Sequence, residues 1–356
     1  MDFSFYKGKK VFLTGHTGFK GSWLLSWLHI LGAETKGYAL TPEYDNSLYG
    51  IVEGEKLCHS IIADIRNKEK LEKEVLDFKP DFIFHLAAQP LVRLSYEKPS
   101  ETLEVNATGT AYLLDAVRKL EQPCVVVLIT TDKVYENLEL NYPYKEDDRL
   151  GGYDLYSASK ACAELIISSY RNSFYHINNY AAHQKAIASA RAGNVIGGGD
   201  WSKDRIIPDI IKALSNEAEI IVRNPNAVRP WQHVLEPLSG YLQLGLKLYE
   251  NPIQYSGAWN FGPYIEDNLT VDGLVKRAIH IWGSGSYTTP VLQNQPHEAN
   301  LLMLDINKTI NNLCWTPKMD ASAAIEKTIS WYKKYFKNKE AIAHYTFQSI
   351  VAFNEL

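Results

Sequence analysis

KVFLTGHTGFKG, residues 10–21, runs a short apolar stretch straight into three glycines, Gly15, Gly18 and Gly21. Near-continuous apolar residues suit a strand buried on both faces, and the glycines suit the turn that follows it. Glycine there permits positive φ, brings backbone N–H groups close to a pyrophosphate, and lets the next helix pack against the strand. The spacing is GxxGxxG, one residue wider at the front than the dinucleotide fingerprint. Its place on the first strand-to-helix turn therefore carries more weight than the spacing itself.

Working outward, the pattern repeats. ETKGYAL, HSIIAD, DFIFHLAA and CVVVLITTD read as further strands, separated by stretches of helical period near residues 67–79 and 99–119. This alternation predicts an α/β fold, a Rossmann-type doubly wound parallel sheet covered by helices on both faces. Ligands of such sheets sit beyond the carboxyl ends of the strands. After AIASARAG the chain turns to loops rich in Gly, Asn and Pro, such as NVIGGGDW and RNPNAVRPWQH, with short helices and the strand AWNFG. The boundaries expected are a cofactor domain over 1–193 and a smaller C-terminal substrate lobe over 194–356, some of whose segments return to the first domain. A last helix is expected near 321–337, and the tail from Asn338 gives no signal.

Length and charge narrow the function. A chain of 356 residues exceeds one usual hydrophobic core. A net charge of -4 and no long Lys/Arg run argue against a nucleic-acid partner. No run reaches the ~18 apolar residues of a membrane span, and MDFSFYKGKK leads into a strand instead of an apolar signal core. Cys58, Cys124, Cys162 and Cys314 lack CxxC spacing, so reduced thiols and a cytoplasmic location are expected. HEAN at 297–300 begins like a zinc motif but lacks the second His of HExxH, and the ten histidines show no metal spacing. No metal is expected.

The cofactor expected at the glycines is NAD. An acid at the end of the second strand would hold the adenosine ribose, yet KGYAL ends in Leu40 and Thr41. TPEYDNS offers no Arg or Lys for a 2′-phosphate either, which leaves NADP without support. Asp64, after the third strand, either accepts from the adenine amino group or caps the helix that begins near RNKEK.

Tyr156 and Lys160 in YSASK lie one helical turn apart and share a face. An ammonium beside a phenol favours the phenolate and lowers its pKa toward a useful base. Tyr6 and Lys10 match the same spacing, so context decides: YSASK follows the strand end TTD, whose Thr131 can orient a substrate hydroxyl while Tyr156 removes its proton.

TGHTGFKG, HLAAQP, TTDKVYEN, YSASK and RAGNVIGGGDW together resemble the extended short-chain dehydrogenase/reductase family that modifies nucleotide sugars, over nearly the whole chain. GHTGFKGSWL, AAQPLVRLSY, RIIPD and NAVRPWQHVLEPLSGYL resemble the branch of its 4,6-dehydratases that acts on CDP-glucose. The resemblance implies an NAD-mediated lyase of deoxysugar and lipopolysaccharide O-antigen biosynthesis. Hydride would leave C4, water would leave across C5 and C6, and the hydride would return to C6. It implies Asp132 as the acid that releases the 6-hydroxyl. Lys133 stands where many relatives carry a glutamate base, and its role is open between a base of depressed pKa and a cation beside the enolate. A strand-end ion pair of Asp132 with Lys133, worth under ~1 kcal/mol, is the plainer alternative. Adjacent strand residues point to opposite faces, which speaks against that pairing unless the chain has already turned.

The resemblance also places Thr17, Phe19, Ile65, Leu86, Ala87 and Ala88 beside the cofactor, and implies a homodimer built on the YSASK helix and the helix after Asn106. Asn106 itself reads as a cofactor contact or a satisfied buried amide. Arg93, Asn194, Arg205, Arg229 and His233 are candidates for the diphosphate and sugar, since arginine offers fork-shaped donors. Pro230 and Trp231 read as a turn and a core aromatic, and His85 as a satisfied core histidine. An NAD-dependent 4-epimerase shares the first hydride step but needs no acid at Asp132. A dehydratase of another nucleotide-glucose, or a non-catalytic NAD-binding regulator, are the remaining alternatives.

Overall fold

The computed structural model describes residues 3–290 and 301–356, so HEAN at 297–300 lies outside the described residues. Seven strands form one parallel sheet: β1 (Lys10–Thr14), β2 (Glu34–Ala39), β3 (His59–Ile62), β4 (Phe82–His85), β5 (Cys124–Ile129), β6 (Lys185–Ala192) and β7 (Gly257–Phe261). Their order across the sheet is β7-β6-β5-β4-β1-β2-β3. The order reverses between β1 and β4, so the crevice for a ligand opens there.

Alternation along each strand divides the core in two. Val11, Leu13, Phe82, Phe84, Val125 and Val127 point into one cluster with helix α1 (Phe19–Ile30). Phe12, Ile83, Val126, Leu128 and Ile187 point into the other, under α2 (Lys68–Phe78), α3 (Gly109–Arg118) and α4 (Leu155–Ser173). Strands with both faces buried read as continuous apolar runs, as the sequence displays.

The strand AWNF does not stay with the C-terminal loops. It returns to the large sheet as its edge strand, pairing Trp259 with Ala190 beside β6. What lies outside the sheet after Ala192 is helical with short two-stranded ladders, including Val228–Arg229 against Leu269–Thr270. The tail that gave no sequence signal forms α5 (Ile342–Glu355) behind the expected helix Ala321–Lys337. Its buried residues Ile342, Thr346, Ile350 and Phe353 recur at helical spacing, and Phe353 meets Trp27 of α1 edge-on at 5.7 Å.

Phe353→Ala should open a cavity against Trp27 and cost about 3 kcal/mol. A lower midpoint of urea unfolding would register it, and an unchanged midpoint would show that the α1–α5 contact contributes nothing.

Candidate active site

The glycine turn is fixed by close approach. Gly15 has φ of 75°, and a Cβ on it would lie 2.7 Å from the backbone nitrogen of Ala87. One on Gly21 would lie 1.9 Å from the Gly15 carbonyl oxygen. These two positions let α1 start directly over the turn, capped by Gly18 with no side-chain bond. Unsatisfied N–H groups of a helix start suit a pyrophosphate.

Behind the turn runs an ordered chain of donors. Leu86 and Ala87 N–H both donate to Thr14 Oγ1 at 3.1 Å. That leaves the Thr14 proton for His85 Nδ1 at 2.8 Å. His85 Nε2 then donates to Thr110 Oγ1 at 3.2 Å, and Thr110 donates to the Asn106 carbonyl at 2.7 Å. Burial pushes His85 down to about 3. It is a neutral, fully bonded core histidine.

Around the same edge, Thr17 donates to the Leu40 carbonyl at 2.8 Å, tying the turn to the end of β2. Phe19 is partly buried against the core, and Ile65 is buried. Asp64 is not the helix cap, because Asn67 takes that place by accepting from Lys70 N–H. Asp64 instead accepts from Arg66 N–H at 2.8 Å and pairs with its guanidinium at 2.6 Å. Asn106 is the satisfied amide: Gln89 N–H, the Gln89 carbonyl and Ser159 Oγ take its polar atoms at 2.8, 3.0 and 2.8 Å. It thereby ties the loop after Ala88 to the helix of Tyr156.

That helix, α4, begins at Asp154, whose carboxylate accepts from Ser157 N–H and Oγ. Tyr156 and Lys160 are both buried. Contrary to the sequence expectation, Tyr156 is not lowered. Burial pushes it up to about 12, outweighing the pull of the Thr131 hydroxyl and Arg205. Lys160 is brought down to about 8 by burial, against the opposing charge of Glu164. Its Nζ donates to the Ile129 carbonyl at 3.0 Å, at the end of β5.

At that strand end Thr131 caps a short 3-10 turn, Asp132–Val134, so strand alternation has already ceased. Asp132 is wholly buried and accepts from Thr131 Oγ1 at 2.9 Å and Asn194 Nδ2 at 3.2 Å. A Cβ on Gly193 would strike its carboxylate, so Gly193 makes room for it. Asn194 holds φ of 50°, a left-handed position that asparagine tolerates. Lys133 Nζ stands 3.8 Å from Asp132 Oδ1 with its side chain 33% exposed. The pair is an ion pair at the mouth of a buried site.

Of the substrate candidates, Arg205 and Asn194 join this group. Arg205 pairs with Asp200 at 2.9 Å and acts electrostatically on Tyr156. Arg93 lies within 3.6 Å of Asp204, and Arg229 donates to its neighbouring Val228 carbonyl. His233 is buried, edge-on to Trp23 and accepting from Leu235 N–H, and it does not join the Tyr156 group. Trp231 is the expected core aromatic, its Nε1 donating to the Leu269 carbonyl.

Two residues escaped the sequence reading. Asp200 is buried beneath Arg205. Lys20, inside the glycine turn, is pushed down to about 7 by burial and by Arg205 and Lys160, with Asp132 and Asp200 opposing. A cation in the first turn of a helix runs against the helix dipole, and that local conflict was the readable signal. Among the described residues no group of three or more His, Cys, Asp or Glu is placed to hold a metal ion.

Comparison with known proteins agrees with this geometry. A family described as GDP-mannose 4,6 dehydratase matches residues 12–258. A CDP-glucose 4,6-dehydratase of Salmonella typhimurium is 47% identical over 96% of this chain and 95% of its own. A CDP-paratose 2-epimerase of Salmonella typhi is 26% identical over 90% of this chain and 98% of its own. Among solved structures, the dTDP-glucose 4,6-dehydratase DesIV of Streptomyces venezuelae, with NAD bound, superposes with a TM-score of 0.77 at 20% identity, covering 91% of this chain and 97% of its own. With the glycine turn, the TTD strand end and the YSASK helix brought to one edge of the sheet, the chain belongs to the GDP-mannose 4,6 dehydratase family.

Proposed function

We propose that the protein converts CDP-glucose into CDP-4-keto-6-deoxyglucose and water. The observation that carries this reading is the likeness to a CDP-glucose 4,6-dehydratase across both lobes, at 47% identity, joined to a buried acid beside Thr131 and Tyr156. NAD bound over the glycine turn would accept the C4 hydride and return it to C6. The unobstructed start of α1 and the Gly15 bend fit its pyrophosphate.

The chain's own residues divide the remaining work. Tyr156, oriented with Thr131, takes the 4-hydroxyl proton as hydride leaves C4. Lys160 and Arg205 supply the positive charge that this phenolate needs, because burial alone opposes it. The 4-ketone acidifies the C5 hydrogen. Asp132, ionised beside Lys133 at rest, receives the 4-hydroxyl proton through the Thr131 hydroxyl, which bonds both Tyr156 and Asp132. It then gives that proton to the departing 6-hydroxyl, its shielding from water keeping the proton directed at the substrate. Lys133 flanks Asp132, where it either takes the C5 proton or offsets charge on the enolate while Tyr156 or water takes that proton, and the proton returns to C5 as hydride reaches C6. A 4-epimerase would need neither of these two residues.

We assign the protein to the cytosol, supported by four free cysteines and by the absence, among the described residues, of a helix long and apolar enough to cross a membrane. Assembly as a homodimer through α3 and α4 is supported by Leu165, a large apolar side chain of α4 that leaves 58% of its surface exposed. Analytical ultracentrifugation should return twice the chain mass, and Leu165→Glu should halve it.

The activity is tested by incubating the protein and NAD with CDP-glucose carrying deuterium at C4. Deuterium at C6 of a 4-keto-6-deoxy sugar is the expected result, while label kept at C4 of an inverted sugar would sink the dehydratase reading. Asp132→Asn should slow water loss by roughly 10²–10⁴ yet leave C4 oxidation in place, so absorbance of reduced cofactor should accumulate. In parallel, Lys133→Glu should lower turnover, and undiminished turnover would leave Lys133 without a role in the cycle.

A further inference from the structure

Beneath the Tyr156 helix lies a buried ionic knot that the reaction steps above do not use. Glu164, one helical turn beyond Lys160 on the same face of α4, is buried together with Arg191 of β6. Its Oε1 accepts from Thr130 Oγ1 at 2.5 Å, and its Oε2 accepts from Ser189 Oγ and Arg191 Nη2, each at 2.8 Å. Arg191 Nη1 reaches on to Tyr135 Oη at 2.8 Å, and Tyr135 donates to Asn260 Oδ1 at 2.7 Å on β7. The carboxylate thus fastens one helix to β6 and to the residue that follows β5, and Arg191 and Tyr135 relay the network to β7.

The register of these bonds is what gives them meaning. Lys160 donates to the carbonyl of Ile129, and Glu164 accepts from the side chain of Thr130. The next two residues, Thr131 and Asp132, carry the proposed chemistry. Helix residues spaced by one turn are therefore buttoned onto consecutive residues of the strand end, and the helix cannot slide or rotate without moving Tyr156 away from Thr131. An ordinary core would fill this space with apolar side chains, which is often more stabilising than a buried ion pair. The retained charge calls for a reason.

We propose that Glu164 is a positioning residue for the reaction, holding the Tyr156 and Lys160 helix in register with Thr131 and keeping the Lys160 side chain charged. The groups facing Lys160 explain why such help is needed. Lys20 of α1 repels it, and His85 of β4 is neutral and gives nothing. Glu164 supplies the opposing negative charge, and burial acts against both partners. Glu164 in turn stays ionised although burial disfavours it, because Arg191 and the Thr130 and Ser189 hydroxyls hold it below the ordinary carboxylate range. Arg171 is the other cation that feels it.

This inference rests on the dehydratase reading for its importance, while the lysine titration tests it independently of that reading. In the cofactor-free protein carrying lysine labelled with ¹³C at Cε, the Lys160 resonance, assigned with Lys160→Met, titrates with its ammonium. Glu164→Gln should move that midpoint down by roughly one pH unit or more. In single-turnover oxidation of the sugar at C4, the alkaline fall of the rate should move down with it. Ser189→Ala, which keeps the carboxylate and removes one hydrogen bond, should leave the midpoint in place, and Glu164→Asp should restore most of it. If the Gln variant does not fold, Glu164→Gln with Arg191→Met removes both buried charges and serves instead. A lysine midpoint unmoved in the folded variant would overturn the proposal, whereas normal titration shifts in a protein that fails to turn over CDP-glucose would overturn only the dehydratase reading.

Discussion

The space between the end of β1 and the start of α1 admits nothing larger than a hydrogen atom on Gly15 or Gly21. That exclusion places the helix start directly over the strand, and the helix start is what aims backbone N–H groups at a phosphate. Thr14, at the same strand end, draws in the two N–H groups that follow β4 and hands its own proton to His85. Both sides of the switch point are thereby locked by groups that are fully bonded before any ligand arrives. The site beside it inherits its precision from this packing.

Within that frame the polar groups are sorted by burial. Asp132, Tyr156, Lys160, Glu164 and Arg191 all lie inside, and each is held by named donors or by an opposite charge. Desolvation works against every one of them, so charge is kept only where it is matched. Lys133 and Arg205, each 33% exposed at the side chain, stand at the border with water. Fixed dipoles and charges gathered at such a border, in place of mobile solvent, are the arrangement that stabilises developing charge most effectively.

Much of this was legible in the chain. The apolar runs, the glycines after the first of them, TTD after the fifth and YSASK beyond it place the sheet and its reactive edge through simple periodicity. The misses have physical causes. Tyr156 was expected to be lowered by Lys160 on helix spacing alone, but spacing carries no information about burial, and burial dominates. Asp64 was open between an adenine contact and a helix cap, and Asn67, three residues on, does the capping. α5 was overlooked although its buried positions keep helical spacing, because its apolar face is thin and its partner, Trp27, is remote in sequence.

The pairing of β1 with β4 has a consequence for how the protein comes into being. Thr14 and His85, bonded across the switch point, are 71 residues apart in the chain. Closing such a loop has an entropic cost that the contacts formed afterwards must offset. The phosphate cradle therefore rests on a contact remote in sequence and is complete only once that loop has closed. A dinucleotide that binds only the closed fold stabilises it by mass action and so holds the two distant segments together.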